Sequence, residues 1–189
     1  LYRKASVKIH VPTYLSSASE TGSGIGDKDV GVTLGYPKAE LKTSGDFKWY
    51  EQNTHTDYSF GIVTKNVGDE IYYTLATTDD DKDYVSFAKN ALDAAAEIGF
   101  DKLFVAHKRS WQRCNKKSSV KTGDKLLDRT YINSWYLFRC CSRKGFYPMP
   151  LQGVWTADND SLPPWKGDYH HDTNTELSYQ SYLAANRID

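Results

Sequence analysis

Two spacings of hydrophobic positions divide the chain. From Ala5 to about Thr78 apolar and polar residues alternate in short runs, ASVKIHV, VGVTLGY, FKWYEQ, YSFGIVTKN and EIYYTLATT. The runs are separated by turn signals such as SGD and VGD and by the longer SETGSGIGDKD. Alternation puts successive side chains on opposite faces, so five such runs predict an antiparallel sheet. After TTDDDKD the period changes to three and four residues. Asp83 is positioned to cap a helix running to about Ile98, with Ala88, Ala91, Leu92 and Ala95 on one face and Gly99 as the stop. Leu103, His107 and Trp111 recur at four-residue intervals and predict a second helix from near Asp101, on which His107 reads as a structural histidine of an apolar face. A third helix is predicted from about Lys125 to Ser142, with Leu127, Tyr131, Ser134 and Phe138 stacked. Gly145 ends it, and Pro148 and Pro150 prevent a restart. Phe146 to His171 shows neither period and reads as an ordered irregular segment. A last helix is predicted from about Thr173 to the end of the sequence. The fold class is therefore α+β, strands first and helices after, with the boundary near residues 79 to 84 and no repeat at solenoid periods.

Composition narrows the function classes. The 189 residues carry 24 Lys+Arg against 24 Asp+Glu, a formal charge of zero. No basic cluster extends beyond Lys116 and Lys117, so neither a nucleic-acid nor a membrane-surface partner is expected. No apolar run approaches the ~18 residues that read as a membrane span. Fourteen Tyr and five Trp give many rings with a polar handle, which suit half-buried contact with flat, polar ligands such as sugars. Cys114, Cys140 and Cys141 have neither disulfide-framework nor zinc spacing and read as buried or idle thiols. The chain begins LYRKASVKIHV and has one methionine, Met149, so it reads as a processed or partial product. Its expected localisation is exported, periplasmic or extracellular.

The densest chemistry lies where the irregular segment meets the last helix: Tyr169, His170, His171, Asp172, Asn174 and Glu176. A helix start presents free backbone N–H groups and a positive dipole end, which favour a carboxylate there. A carboxylate with an amide two positions away can orient a water and accept its proton. The bland reading of the same residues is an N-cap, Asp172, followed by a polar first turn. Trp155 and Trp165 are either core anchors of the irregular segment or platforms for a sugar face. Adjacent histidines diverge on most backbones and no third ligand is suitably spaced, so His170 and His171 read as hydrogen-bonding groups. No metal and no cofactor is expected.

The segment LQGVWTADNDSLPPWKGDYHHDTNTELSY, Leu151 to Tyr179, resembles the signature of glycoside hydrolase family 95, the α-L-fucosidase-like family of the six-hairpin superfamily. In that family an LQG-I-W segment leads through PPW-G to an N-x-N-T-E-x-N-Y-W helix start. The likeness continues upstream through LDAAAEIGFDKLFVAHKRSW and YLFRCCSRKG and covers roughly residues 70 to 186. It implies an N-terminal antiparallel β-sandwich portion over 1–80, a helical linker over 81–121 and the first helices of an (α/α)6 barrel over 122–189. It also implies hydrolysis of α-L-fucoside-like or related sugar linkages with inversion. The family's two catalytic asparagines fall on Asp172 and Asn174, the first being Asp here. Trp155, Trp165, Tyr169, His170, His171 and Glu176 become the substrate-binding candidates. Ser178 and Gln180 stand where the family has Asn and Trp, which loosens the assignment to fucose. The general acid is expected outside this sequence, so the chain reads as an incomplete and inactive piece of the enzyme. Its partners would be a carbohydrate substrate and either the remaining part of the same enzyme or another copy of the chain. The alternative is a non-catalytic carbohydrate-binding or scaffold module that retains the architecture.

Overall fold

The structure is a computed structural model that describes residues 2–4, 6–11, 37–54, 56–151 and 169–186. The described residues fall into two compact units, one ending at Lys108 and the other beginning at Arg109.

The first unit is a five-stranded antiparallel sheet with a helix across one face. Its strands are β1 (Tyr2–Arg3), β2 (Lys42–Ser44), β3 (Phe47–Asn53), β4 (Ser59–Val67) and β5 (Glu70–Thr77), in the order β1-β5-β4-β3-β2. Two hairpins organise it. Ser44 pairs with Phe47 across Gly45-Asp46, and Val67 pairs with Glu70 across Gly68-Asp69. Gly45 and Gly68 take φ of 57° and 56°, as the first central residue of a primed two-residue turn must, and a Cβ makes that conformation costly. The SGD and VGD signals thus close the turns expected of them.

Two strand expectations change. ASVKIHV alternates, yet residues 6–11 form no strand, and the pairing with β5 is made instead by Tyr2 and Arg3. Lys4, at φ 54°, turns the chain away after its N–H reaches the Asp69 carbonyl. Alternation without a partner strand does not make a ladder. Lys42–Ser44 pairs with β3 although all three residues are exposed, so no apolar pattern announced it. VGVTLGY, residues 30–36, lies outside the described residues.

Helix α1 (Tyr84–Ile98) follows the expected limits. Asp83 Oδ1 accepts from Ser86 N at 3.2 Å, and Gly99, at φ 82°, donates its N–H to Ala95 O. The helix buries Tyr84, Ala88 and Leu92 against Val63, Tyr72 and Ala76 of the sheet, with Ala95 packed beside them, whereas Ala91 is exposed. The core stripe runs through 84, 88, 92 and 95, one turn nearer the N-terminus than the alanines alone suggest. Around this core, Lys65 pairs with Asp93, and Lys89 lies 3.5 Å from the Trp49 ring centroid. Gly61 is required by contact: a Cβ there would sit 3.2 Å from Tyr84 Cε2 and 3.3 Å from the Tyr50 carbonyl. On the other face of the sheet Tyr50, Gln52 and Thr64 are buried while Tyr73 and Leu75 are exposed. Gln52 Nε2 donates to the Pro37 and Asn53 carbonyls.

Helix α2 (Phe100–Asn115) begins one residue after Gly99. His107 is exposed rather than set in an apolar face, because the buried residue of this helix is Cys114.

The second unit contains helix α3 (Lys125–Cys141), helix α4 (Thr173–Tyr179) and a 3-10 turn over Gln180–Tyr182. Asp124 caps α3, accepting from Leu126 N and Leu127 N at 2.7 and 3.1 Å. Asp128, one turn on, accepts from the Thr122 N–H and hydroxyl, both at 2.7 Å. These bonds stabilise the ionised form and hold the Asp128 carboxyl below its ordinary pKa. The stripe of α3 that is not fully exposed runs through Asp128, Tyr131, Trp135, Phe138 and Arg139, whereas Leu127 and Ser134, expected on it, are exposed. The rings form a ladder of edge-on contacts, Tyr131 to Trp135 at 6.3 Å and Trp135 to Phe138 at 5.5 Å. The helix ends at Cys141, within a residue of the expected limit, and the Ser142 N–H closes its last turn on the Phe138 carbonyl. The final helix is only seven residues long and passes into the 3-10 turn, so it does not continue to the end of the sequence.

Candidate active site

The site is built on the start of α4. Asp172 is its N-cap, with Oδ1 accepting from the Asn174 N–H at 3.2 Å, and its carbonyl receives the Glu176 N–H at 3.1 Å. The cap fixes Asp172 and Asn174 two positions apart at the helix start, and both side chains are exposed. Asp172 Oδ2 has no donor among the described residues. One carboxylate oxygen therefore holds the helix start and the other is available to water. The bland reading of Asp172 as a cap is thus correct as structure, and its geometry is compatible with chemistry at the second oxygen.

The residues just before the helix are organised by the backbone. The half-buried His170 presents its carbonyl to both the Thr175 N–H, at 3.2 Å, and the Thr175 hydroxyl. Tyr169 and His171 stack with ring centroids 5.7 Å apart and planes 12° from parallel. Glu176 is exposed on the same first turn. Tyr169, His171, Asp172, Asn174 and Glu176 therefore occupy one short, solvent-facing stretch. Trp155 and Trp165 lie outside the described residues.

A residue that sequence reading missed anchors this stretch. The Tyr179 hydroxyl donates to Ser142 Oγ at 2.9 Å and accepts from the Met149 N–H at 2.8 Å. Its ring meets Phe138 edge-on at 5.1 Å. Three segments thus converge on one phenol: the end of α3, the irregular run into Pro150, and α4. The signal available in sequence was the Tyr of the N-Y-W element, which Ser178 and Gln180 flank here. Ser178 instead back-bonds the Asn174 carbonyl at 2.9 Å, closing the turn that carries the site.

Strands followed by capped helices, with a carboxylate and an amide at one helix start, are the geometry, and the family comparison gives it a class. Residues 82–186 match the model of the glycosyl hydrolase family 95 catalytic domain. The match covers more than half of the 189 residues, and the chain belongs to that family. No curated protein and no solved structure matches the chain significantly.

Proposed function

We propose that the protein hydrolyses α-L-fucoside-like or related glycosidic linkages with inversion, using Asp172 and Asn174 to activate the attacking water. The observation that carries this reading is the pairing itself. Both side chains are exposed two positions apart on a capped helix start, with Asp172 Oδ2 lacking a donor among the described residues. An amide can only orient water, whereas a carboxylate can also take its proton. Asp172 is accordingly the base, and Asn174 fixes the water with its side-chain amide. The general acid must stand across the sugar, since inversion leaves room for a water between the two groups. Tyr169, His170, His171, Glu176, Trp155 and Trp165 contribute the hydrogen bonds and ring faces of the sugar pocket.

The sheet is read as a portion of a β-sandwich, supported by the exposed Tyr73 and Leu75 on the face opposite α1. Residues 122–189 are read as the first helices of an (α/α)6 barrel, which the family match supports. One observation favours a second reading, a non-catalytic carbohydrate-binding or scaffold module: the Asp172 oxygen bound to Asn174 N–H serves the helix. The two are separated by following cleavage of an aryl α-L-fucoside by the full-length enzyme with proton NMR. The hydrolase reading expects the β-anomer to appear first. Retention of configuration would overturn the water-activation scheme, and binding of the sugar without any cleavage would favour the module.

A further inference from the structure

A cavity of about 290 Å³ opens at the far end of α4 from Asp172, and its lining combines two chemistries. Trp135, Phe138, Tyr179 and Tyr182 supply ring surface. Lys117, Arg139, Arg143 and Lys144 supply positive charge, and no Asp or Glu is among the residues that line it. A chain whose formal charge is zero thus gathers four cations around one small hollow. A gathering of one sign of charge in a small hollow attracts an anion.

The charged groups are set for recognition. The Arg139 guanidinium carbon lies 5.0 Å from the Trp111 ring centroid, and its Nη2 donates to Ser110 Oγ at 3.4 Å. Arg143 lies 4.0 Å from the Phe146 centroid. Stacking occupies the face of a guanidinium and leaves its edge N–H groups for an oxyanion, a planar fork that matches carboxylate and sulfate. Among the described residues no ion pair engages Arg139, Arg143 or Lys144. The rings beside them are fixed by the Trp135–Phe138 and Phe138–Tyr179 edge contacts. Flat apolar faces next to Arg139, Arg143 and Lys144 fit a sugar ring bearing an acid group, whereas a free inorganic anion would leave the ring surface unused.

We propose that this cavity is a second saccharide subsite, selective for a sugar unit that carries a carboxylate or a sulfate ester. The proposal rests on the reading of the protein as one that acts on carbohydrate, and it assigns an acidic unit to the substrate. From Asp172 to Tyr179 is seven residues of helix, about 10 Å of axial rise, so the acidic unit sits beyond the sugar that reacts.

The test is direct binding, which does not depend on turnover. The full chain is titrated with D-glucuronate, D-galactose 6-sulfate, neutral D-glucose and inorganic sulfate, by calorimetry and by tryptophan fluorescence. At least one acidic sugar is expected to bind about tenfold or more tighter than glucose, the scale of one charge-assisted hydrogen bond, and to weaken with added salt. Which of the two binds identifies the anion. Arg143→Gln and Lys144→Gln change exposed residues, and each is expected to weaken that sugar about tenfold while leaving glucose unchanged. Asp172→Ala is expected to leave the affinity intact, so a failure of the proposed hydrolysis would count against that activity and not against this subsite. Equal affinity for glucose and the acidic sugars would overturn the proposal. So would unchanged affinity in both variants, or inorganic sulfate binding as tightly as the sugar sulfate.

Discussion

The two units of this chain use their hydrophobic residues differently. In the first, Val63, Tyr72 and Ala76 of the sheet and Tyr84, Ala88 and Leu92 of α1 are all buried together, and the ion pairs and cation–π contacts sit at the edge of that cluster. In the second, α3 has no buried residue at all, and Leu126, Ile132 and Leu177 are each more than 60% exposed. There the ordering comes from directional contacts: the Tyr131–Trp135–Phe138–Tyr179 ring ladder, the Asp124 and Asp128 caps and the Tyr179 phenol. A sheet with a helix across it closes its own core, while helices need neighbours on several sides before their apolar stripes are covered. The candidate site and the cationic cavity both belong to the unit with less burial, as sites that must admit a ligand commonly do.

This contrast is easiest to break with paired truncations. Leu92→Ala removes a side chain 4% exposed in the first core and should cost about 2–5 kcal/mol in chemical denaturation. Leu127→Ala, at a position 57% exposed, should stay within about 0.5 kcal/mol. Equal losses would mean that the exposed face of α3 is covered in solution. A smaller effect sharpens the account of the second unit. Tyr179→Phe keeps the ring against Phe138 but deprives the Met149 N–H and Ser142 of their partner, and should cost about 1 kcal/mol. Hydrogen exchange should accelerate at Met149 and along α4 but not in β4 or β5. Uniform acceleration would show that the phenol does not act locally.

The smallest expected effect is a pH dependence. The hydrogen bonds from Thr122 depress the folded pKa of Asp128, so the unfolded chain takes up the proton first as pH falls. The contribution is full above the ordinary carboxylate pKa of about 4 and is lost as pH falls through the depressed folded value. Asp128→Asn should therefore lower stability slightly at neutral pH and less in acid, which flattens the acid limb of the stability curve. An unchanged acid limb would mean that the Thr122 bonds are not populated in solution.

What could be read from the sequence follows the range of the interaction. The limits of α1 were legible because Asp83 and Gly99 act on their own turns, and the hairpins because Gly45 and Gly68 do the same. Asp124 and Asp172 are caps for equally local reasons. The less exposed side of α3 was not legible: Leu127 and Ser134 share the helical spacing of Tyr131 and Phe138, and only the partners in space select Asp128 and Trp135 instead. β2 escaped notice because its three exposed residues carry no alternation and are ordered by the adjoining turn. The cluster from Tyr169 to Glu176 was visible as composition and as family resemblance. The bond that ties it down was not, since Ser142 and Tyr179 lie 37 residues apart. The cationic cavity was likewise hidden, its lysines and arginines being scattered between Lys117 and Lys144.

The central claim is that the Asp172 carboxylate activates water, and Asp172→Asn in the full-length enzyme tests it most directly. The substitution keeps a side-chain oxygen able to cap α4, so stability should change by less than the ~1 kcal/mol of a lost cap. It removes only the capacity to accept a proton. With an aryl α-L-fucoside, kcat should fall by about 10²–10⁴-fold, the usual cost of losing a positioned base, while the circular dichroism spectrum and the affinity for the sugar persist. Full activity in Asp172→Asn would contradict the claim: the amide pair would then suffice to orient the water, and Asp172 would be a helix cap and not the base.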